Sequence, residues 1–185
     1  MNQYYLMSQL PSLDGISETT PLPITEERFN ELCFRLLNKK ALNALNGLTL
    51  VPKRSSDNTG YTLIDAWNER ERKLRLALAN VRADKMKKFF DAENESVPIQ
   101  LLQVARTAAE KNDPLEAEMF LNRFRLDFLE MLRPMNTFCE DFVFYYGLKL
   151  KLLLRMRCFD ENKGKEEYRK IYDSIMRGDG QEAEQ

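Results

Sequence analysis

Lys149 stands in the middle of an apolar helical pattern, FCEDFVFYYGLKLKLLLRMRCF, in which Phe138, Phe142, Tyr145, Leu152, Leu153 and Met156 share one face. An ammonium in such a place has three fates. Desolvated without a partner, it loses its proton near neutral pH and becomes a base or nucleophile. Paired with a carboxylate, it stays charged and structural. With room along its methylenes, it snorkels to water. Pairing is the expected fate, because no nucleophile or acid motif gathers around this lysine, and Glu71 and Asp127 are the carboxylates to test first.

The second charged grouping is WNERERKLRLALANVRA, Trp67 to Ala83. At about 100° per residue, Leu63, Trp67, Leu74, Leu78 and Val81 fall on one side of a helix, with Arg70 and Glu71 at its margins. Arg72, Arg75, Arg82 and Lys87 then form a basic stripe, within a segment holding eight basic and four acidic residues between Asp65 and Lys88. The plainest reading is a solvated face supported by Glu69–Lys73 and Glu71–Arg75 pairs. The functional alternative is a docking face for an acidic protein surface. Nucleic acid is not expected as a partner, since no aromatic platform, glycine loop or DNA-binding motif accompanies the charge.

Other chemistries lack their residues. Histidine is absent, and no phosphate loop, dinucleotide fingerprint or nucleophile elbow occurs. The carboxylate pairs Glu69/Glu71 and Glu140/Asp141 are neighbours in sequence, with no cleft inferred between them. No catalytic residue, cofactor or metal site is therefore expected. Cys33, Cys139 and Cys158 are far apart and odd in number, which reads as reduced core thiols.

The elements that must position these residues are helical. Glu, Lys, Arg and Leu are abundant, Gly and Pro number seven each, and 28 basic against 29 acidic residues leave no global field. The expectation is an all-α antiparallel bundle of six to seven helices, one of them long, in a single domain over residues 1–185. Residues 3–10 are a short aromatic and apolar piece, with Tyr4, Tyr5 and Leu6 packing on the bundle, and residues 1–24 form an N-terminal segment and loop. Helices follow from Thr25 to about Asn38, over KKALNAL, from a Thr62 cap to about Phe90, and from Pro98 to Lys111. A further helix starts at Asp113–Pro114, and another starts behind a Thr137/Glu140 capping box and reaches Phe159. DENKGK turns the chain into a last helix, EEYRKIYDSIM. Residues 48–61 read as a surface loop and 178–185 as a frayed tail. LEAEMFLNRFRLDFLEML is apolar on two sides, as a helix sandwiched in a bundle would be. The N-terminus lacks a basic n-region and breaks at Pro11. The run FVFYYGLKLKLLLRMRCF carries too many charges to span a bilayer, so direct membrane insertion is not expected.

Three blocks also carry a resemblance: YYLMSQLPSL, the W-x-x-R-E-x-x-L-R-x-x-L-A-x-x-R-A pattern at Trp67 to Ala83, and NDPLEAEMFLNRFRLDFLE followed by YYGLKLKLLLR. In this order they resemble a bacterial domain-of-unknown-function family encoded beside the subunits of V-type (archaeal-type) ATP synthases. The resemblance implies a protein similar to the all-α stalk adaptor of those enzymes, non-catalytic, either an accessory component or the central-stalk adaptor linking rotor shaft to membrane ring. Its partners would be central-stalk and membrane-ring subunits, and its location cytoplasmic, or peripheral on the membrane through that complex. The alternatives are a free-standing helical adaptor or assembly chaperone outside the finished enzyme, and, in a different class, an enzyme using carboxylates or Lys149.

Overall fold

A computed structural model describes residues 2–16, 20–52, 58–88, 96–158 and 161–179. Among them the regular structure is all-helical: α1 (Asn2–Gln9), α2 (Glu26–Leu36), α3 (Lys39–Asn46), α4 (Thr62–Lys85), α5 (Ile99–Glu110), α6 (Pro114–Met131), α7 (Glu140–Arg157) and α8 (Glu161–Asp179).

Several helix starts follow the local chemistry. Thr25 Oγ1 accepts the Arg28 amide at 3.2 Å, with Glu26 and Glu27 in the first turn of α2. Asn38 Oδ1 takes the Ala41 amide at 2.8 Å and so separates α3 from α2. Asp113 Oδ1 accepts from Leu115 at 2.9 Å, with Pro114 in the first turn of α6. Two expected caps do not form, because tertiary partners take the side chains. Tyr61, not Thr62, precedes α4, and the Thr62 hydroxyl donates to Asp141 at 3.2 Å, tying the starts of α4 and α7 together. The Thr137/Glu140 box is absent too: α7 begins behind Cys139, and Glu140 accepts a hydrogen bond from Asn38.

Other boundaries also differ from the sequence reading. Residues 2–9 are helical, with Leu6 buried, but Tyr4 and Tyr5 are exposed, Tyr4 resting on Phe138 at 4.6 Å between ring centres. Helix α4 stops at Lys85, short of Phe90, which lies outside the described residues. The expected turn over DENKGK is helical from Glu161 onward, and the tail from residue 180 likewise lies outside the described residues.

Helix α7 is the axis of the fold. Every residue from Val143 to Leu150 is buried, so it has no single apolar face, and Phe138 precedes the helix and is exposed. It packs against α2, α3, α4 and α6. Gly147 makes this approach possible: a Cβ there would stand 3.3 Å from Phe29 Cε1 and 3.4 Å from Leu45 Cδ1. Both neighbours are buried, so neither yields easily. Gly147→Val is expected to lower the unfolding free energy by about 1–3 kcal/mol through overpacking, read from urea titrations.

The buried apolar side chains form two clusters. The larger joins α1, α2, α3, the first half of α4, the end of α6 and α7; the smaller joins the second half of α4 with α5 and the first half of α6. Helix α6 lies between α5 and α7. Its aromatic side is only half-buried, and Met131 is exposed. The guanidinium of Arg70 lies over Phe128 and Phe124, 4.4 and 5.4 Å from the ring centres. Only Cys33 is a core thiol, pushed up to about 12 by burial, whereas Cys139 is half-buried and Cys158 exposed; all three are free. No helix among the described residues is long and apolar enough to cross a membrane.

Candidate functional site

Lys149 is buried and paired, but neither expected carboxylate is its partner. Its Nζ donates to Asp14 Oδ1 at 2.6 Å and to Tyr145 OH at 3.2 Å, and pairs with Glu130 Oε1 at 2.6 Å. Tyr145 OH in turn donates to Glu130 Oε2 at 2.8 Å, and Arg133 Nη1 donates to Asp14 Oδ2 at 3.3 Å. Tyr146 OH, one residue along, donates to the Pro11 carbonyl at 2.9 Å. Together these bonds staple the Pro11–Asp14 loop and the end of α6 onto α7. Asp127 is exposed. It lies about 200° around α6 from Arg125, whose side faces the core, so it points away from α7.

The staple borders an open pocket of about 370 Å³ lined by Met7, Leu10, Phe138, Phe142 and Tyr145, among others. Its electrostatics oppose base chemistry. Burial acts to lower the Lys149 pKa, but the hydrogen bonds with Asp14, Glu130 and Tyr145 outweigh it and hold the ammonium above its ordinary range. Burial and Glu130 push the Tyr145 phenol up to about 12. Both groups keep their protons at neutral pH.

Asp14 is shifted the other way: chiefly its hydrogen bond with Lys149 holds its carboxyl below the ordinary value of 3.8. A depressed carboxylate contributes stability that is present above that ordinary value and is lost as pH falls through the depressed one. The raised lysine contributes stability that is complete below its ordinary value of 10.5 and is lost only as pH climbs through the raised one. Neither varies between about pH 5 and 9. Asp14→Asn is therefore expected to flatten the acid limb of stability below about pH 4 and to leave the neutral plateau lower, in urea titrations at stepped pH.

Glu71 is also paired, 54 positions away in sequence and in another part of the core. Arg125 grips it bidentately, Nε to Oε2 at 2.9 Å and Nη2 to Oε1 at 3.0 Å. Arg75 adds a bond to Oε1 at 2.9 Å. Arg125 Nη1 donates to Asn122 Oδ1 at 3.0 Å, and Glu118, 3.5 Å from Arg125, accepts from Arg155 at 2.6 Å. Glu71 sits between Trp67 and Leu74 on α4, and Arg125 between Leu121 and Leu129 on α6, so this polar layer separates the two apolar clusters. Arg125 and Asn122 are the site residues that periodicity alone could have revealed, because Leu121, Arg125 and Leu129 are spaced four apart on one helix face. Asp14 had no such signal.

The basic stripe does not persist as one surface. Arg75 is tied to Glu71, Arg72 is half-buried beside a groove lined by Asn43, Leu48 and Asn68, and only Arg82 and Lys87 are exposed. The expected Glu69–Lys73 pair is present at 2.5 Å. Lys87 lies past the end of α4 with φ of 53°, where its amide bonds Asp84 O and that of Lys88 bonds Ala83 O. This is a left-handed helix cap in which glycine is the unstrained residue. Lys87→Gly is expected to raise thermal stability by about 1 kcal/mol, the relieved strain exceeding the added chain entropy.

Among the described residues no group of three or more Cys, Asp and Glu is arranged to hold a metal ion. Compared with family models, curated proteins and solved structures, the chain matches none.

Proposed function

We propose that this protein is a non-catalytic accessory or central-stalk adaptor subunit of a V-type rotary ATP synthase, taking the part of the all-α adaptor that joins the rotor shaft to the membrane ring. One observation carries the reading: the three sequence blocks with the family resemblance are the parts that interlock into the frame. The first supplies Leu6, Leu13 and the Pro11 carbonyl bound by Tyr146; the second is the body of α4; the third is α6 with α7. Such blocks preserve a stiff shape, which an adaptor under torque requires. The two buried charge groups favour the same reading, since Lys149 and Glu71 cross-link helices and Lys149 is held protonated.

The test is purification of the rotary ATP synthase from cells carrying a tagged shaft subunit. Stoichiometric presence of this chain in the finished enzyme is the expected result. Reproducible absence removes the proposal, and presence only in partly assembled complexes replaces it with an assembly chaperone.

A further inference from the structure

Helix α8 bears an apolar stripe that its own chain does not cover. Tyr168, Ile171, Tyr172, Ile175 and Met176 recur at helical spacing, and each is 51–68% exposed. Tyr168 and Tyr172 stack at 6.3 Å between ring centres. All described side chains from residue 164 to 176 are exposed, so the helix gains little from packing on the body. Helices of this length are marginal in water without a buried face. The stripe is therefore the side on which α8 is stabilised by a partner.

Charge decides what kind of partner fits. Taking Tyr168 as the reference, Lys165 and Arg169 lie at about 60° and 100° around the helix, along the edge that carries Tyr172 and Met176. The opposite edge has Ser174 and Glu167, the latter bound to Lys170 at 2.6 Å. An anionic membrane surface calls for a mainly basic polar face, yet between residues 164 and 176 the three cations are balanced by Glu166, Glu167 and Asp173. A second copy in antiparallel register would set the Lys165/Arg169 edge against itself. In either register the stripe offers little more than one heptad, whereas stable coiled-coil pairing takes about three to four. Anchors at i, i+3, i+4 and i+7 instead match a single helix laid in a groove.

We infer that α8 is a docking helix that inserts Tyr168, Ile171, Tyr172 and Ile175 into an apolar groove of a partner protein whose rim is acidic along the side meeting Lys165 and Arg169. The inference does not depend on the partner being a rotary ATP synthase. Its test uses the full chain and two designed helical hairpins that present the same leucine-lined groove, one with a glutamate rim and one with a lysine rim. The glutamate-rimmed hairpin binds at least about 10-fold more tightly at low salt, and the gap narrows as salt is added. Lys165→Glu with Arg169→Glu reverses the preference, and Ile171→Ser with Ile175→Ser abolishes binding to both. These exposed positions leave the body's urea midpoint unchanged, so lost binding is not lost folding. Equal affinity for the two rims, no binding of either hairpin, or binding that survives the double serine variant overturns the inference. So does adsorption to phosphatidylglycerol vesicles, or concentration-dependent dimerisation in ultracentrifugation, where the double serine variant removes it.

Discussion

Glu71→Leu, with Arg125 left in place, lowers the unfolding free energy by about 3–5 kcal/mol, because a guanidinium that was gripped at two nitrogens stays buried with half its partners gone. Arg125→Met has a comparable cost, since Glu71 keeps only Arg75. Replacing the layer as a whole behaves differently. Glu71→Leu, Asn122→Leu and Arg125→Met together leave no charge stranded at those three positions, and the half-exposed Arg75 and Glu118 regain water. That triple variant is expected to return to within about 1 kcal/mol of the parent, because well-packed apolar residues commonly substitute for a buried pair without net loss. Urea unfolding of the four proteins gives the answer. A triple variant as unstable as the singles would mean that the layer's worth lies in the pairing itself and not in avoiding stranded charge.

Trp67→Ala is the other large effect, at about 3–5 kcal/mol. The indole is 1% exposed in the larger cluster and stacks on Phe128 with centres 6.4 Å apart. Its Nε1 has no hydrogen-bond partner among the described residues. Most of its contribution is consequently shape and apolar contact. Trp67→Phe removes an unsatisfied donor along with part of the ring, so its cost is expected below about 2 kcal/mol. Thermal unfolding of the two variants separates the terms; equal losses in both would assign the tryptophan a polar role that the geometry denies.

Lys149 and Glu71 differ in how much of their surroundings the sequence makes legible. Lys149 is identifiable as a buried ammonium in need of carboxylates, because helical spacing alone shows that its neighbours are apolar. Its partners are not. Asp14 lies in an aperiodic loop 135 positions away, and the choice of Glu130 over Asp127 depends on the rotation of α6 about its axis. Glu71 falls at the margin of an apolar face, and its local pair with Arg75 follows from i,i+4 geometry. Its bidentate partner, Arg125, requires α4 and α6 to meet at one particular height. The basic stripe shows the converse error: Arg72, Arg75, Arg82 and Lys87 share a sequence segment, yet burial, ion pairing and the end of the helix assign them separate roles.

The sequence by itself determined the all-helical class, the caps at Thr25 and Asp113, and the Glu69–Lys73 and Glu71–Arg75 pairs. Each depends on forces that act within about one helical turn, where spacing is fixed by 3.6 residues per turn. Only the tertiary structure decided that α7 is buried on every side, that Thr62 and Glu140 leave their caps for distant partners, and that α8 shows its apolar stripe to solvent. Those outcomes turn on how helices rotate and dock, and contacts between residues scores of positions apart leave no periodic mark on either segment.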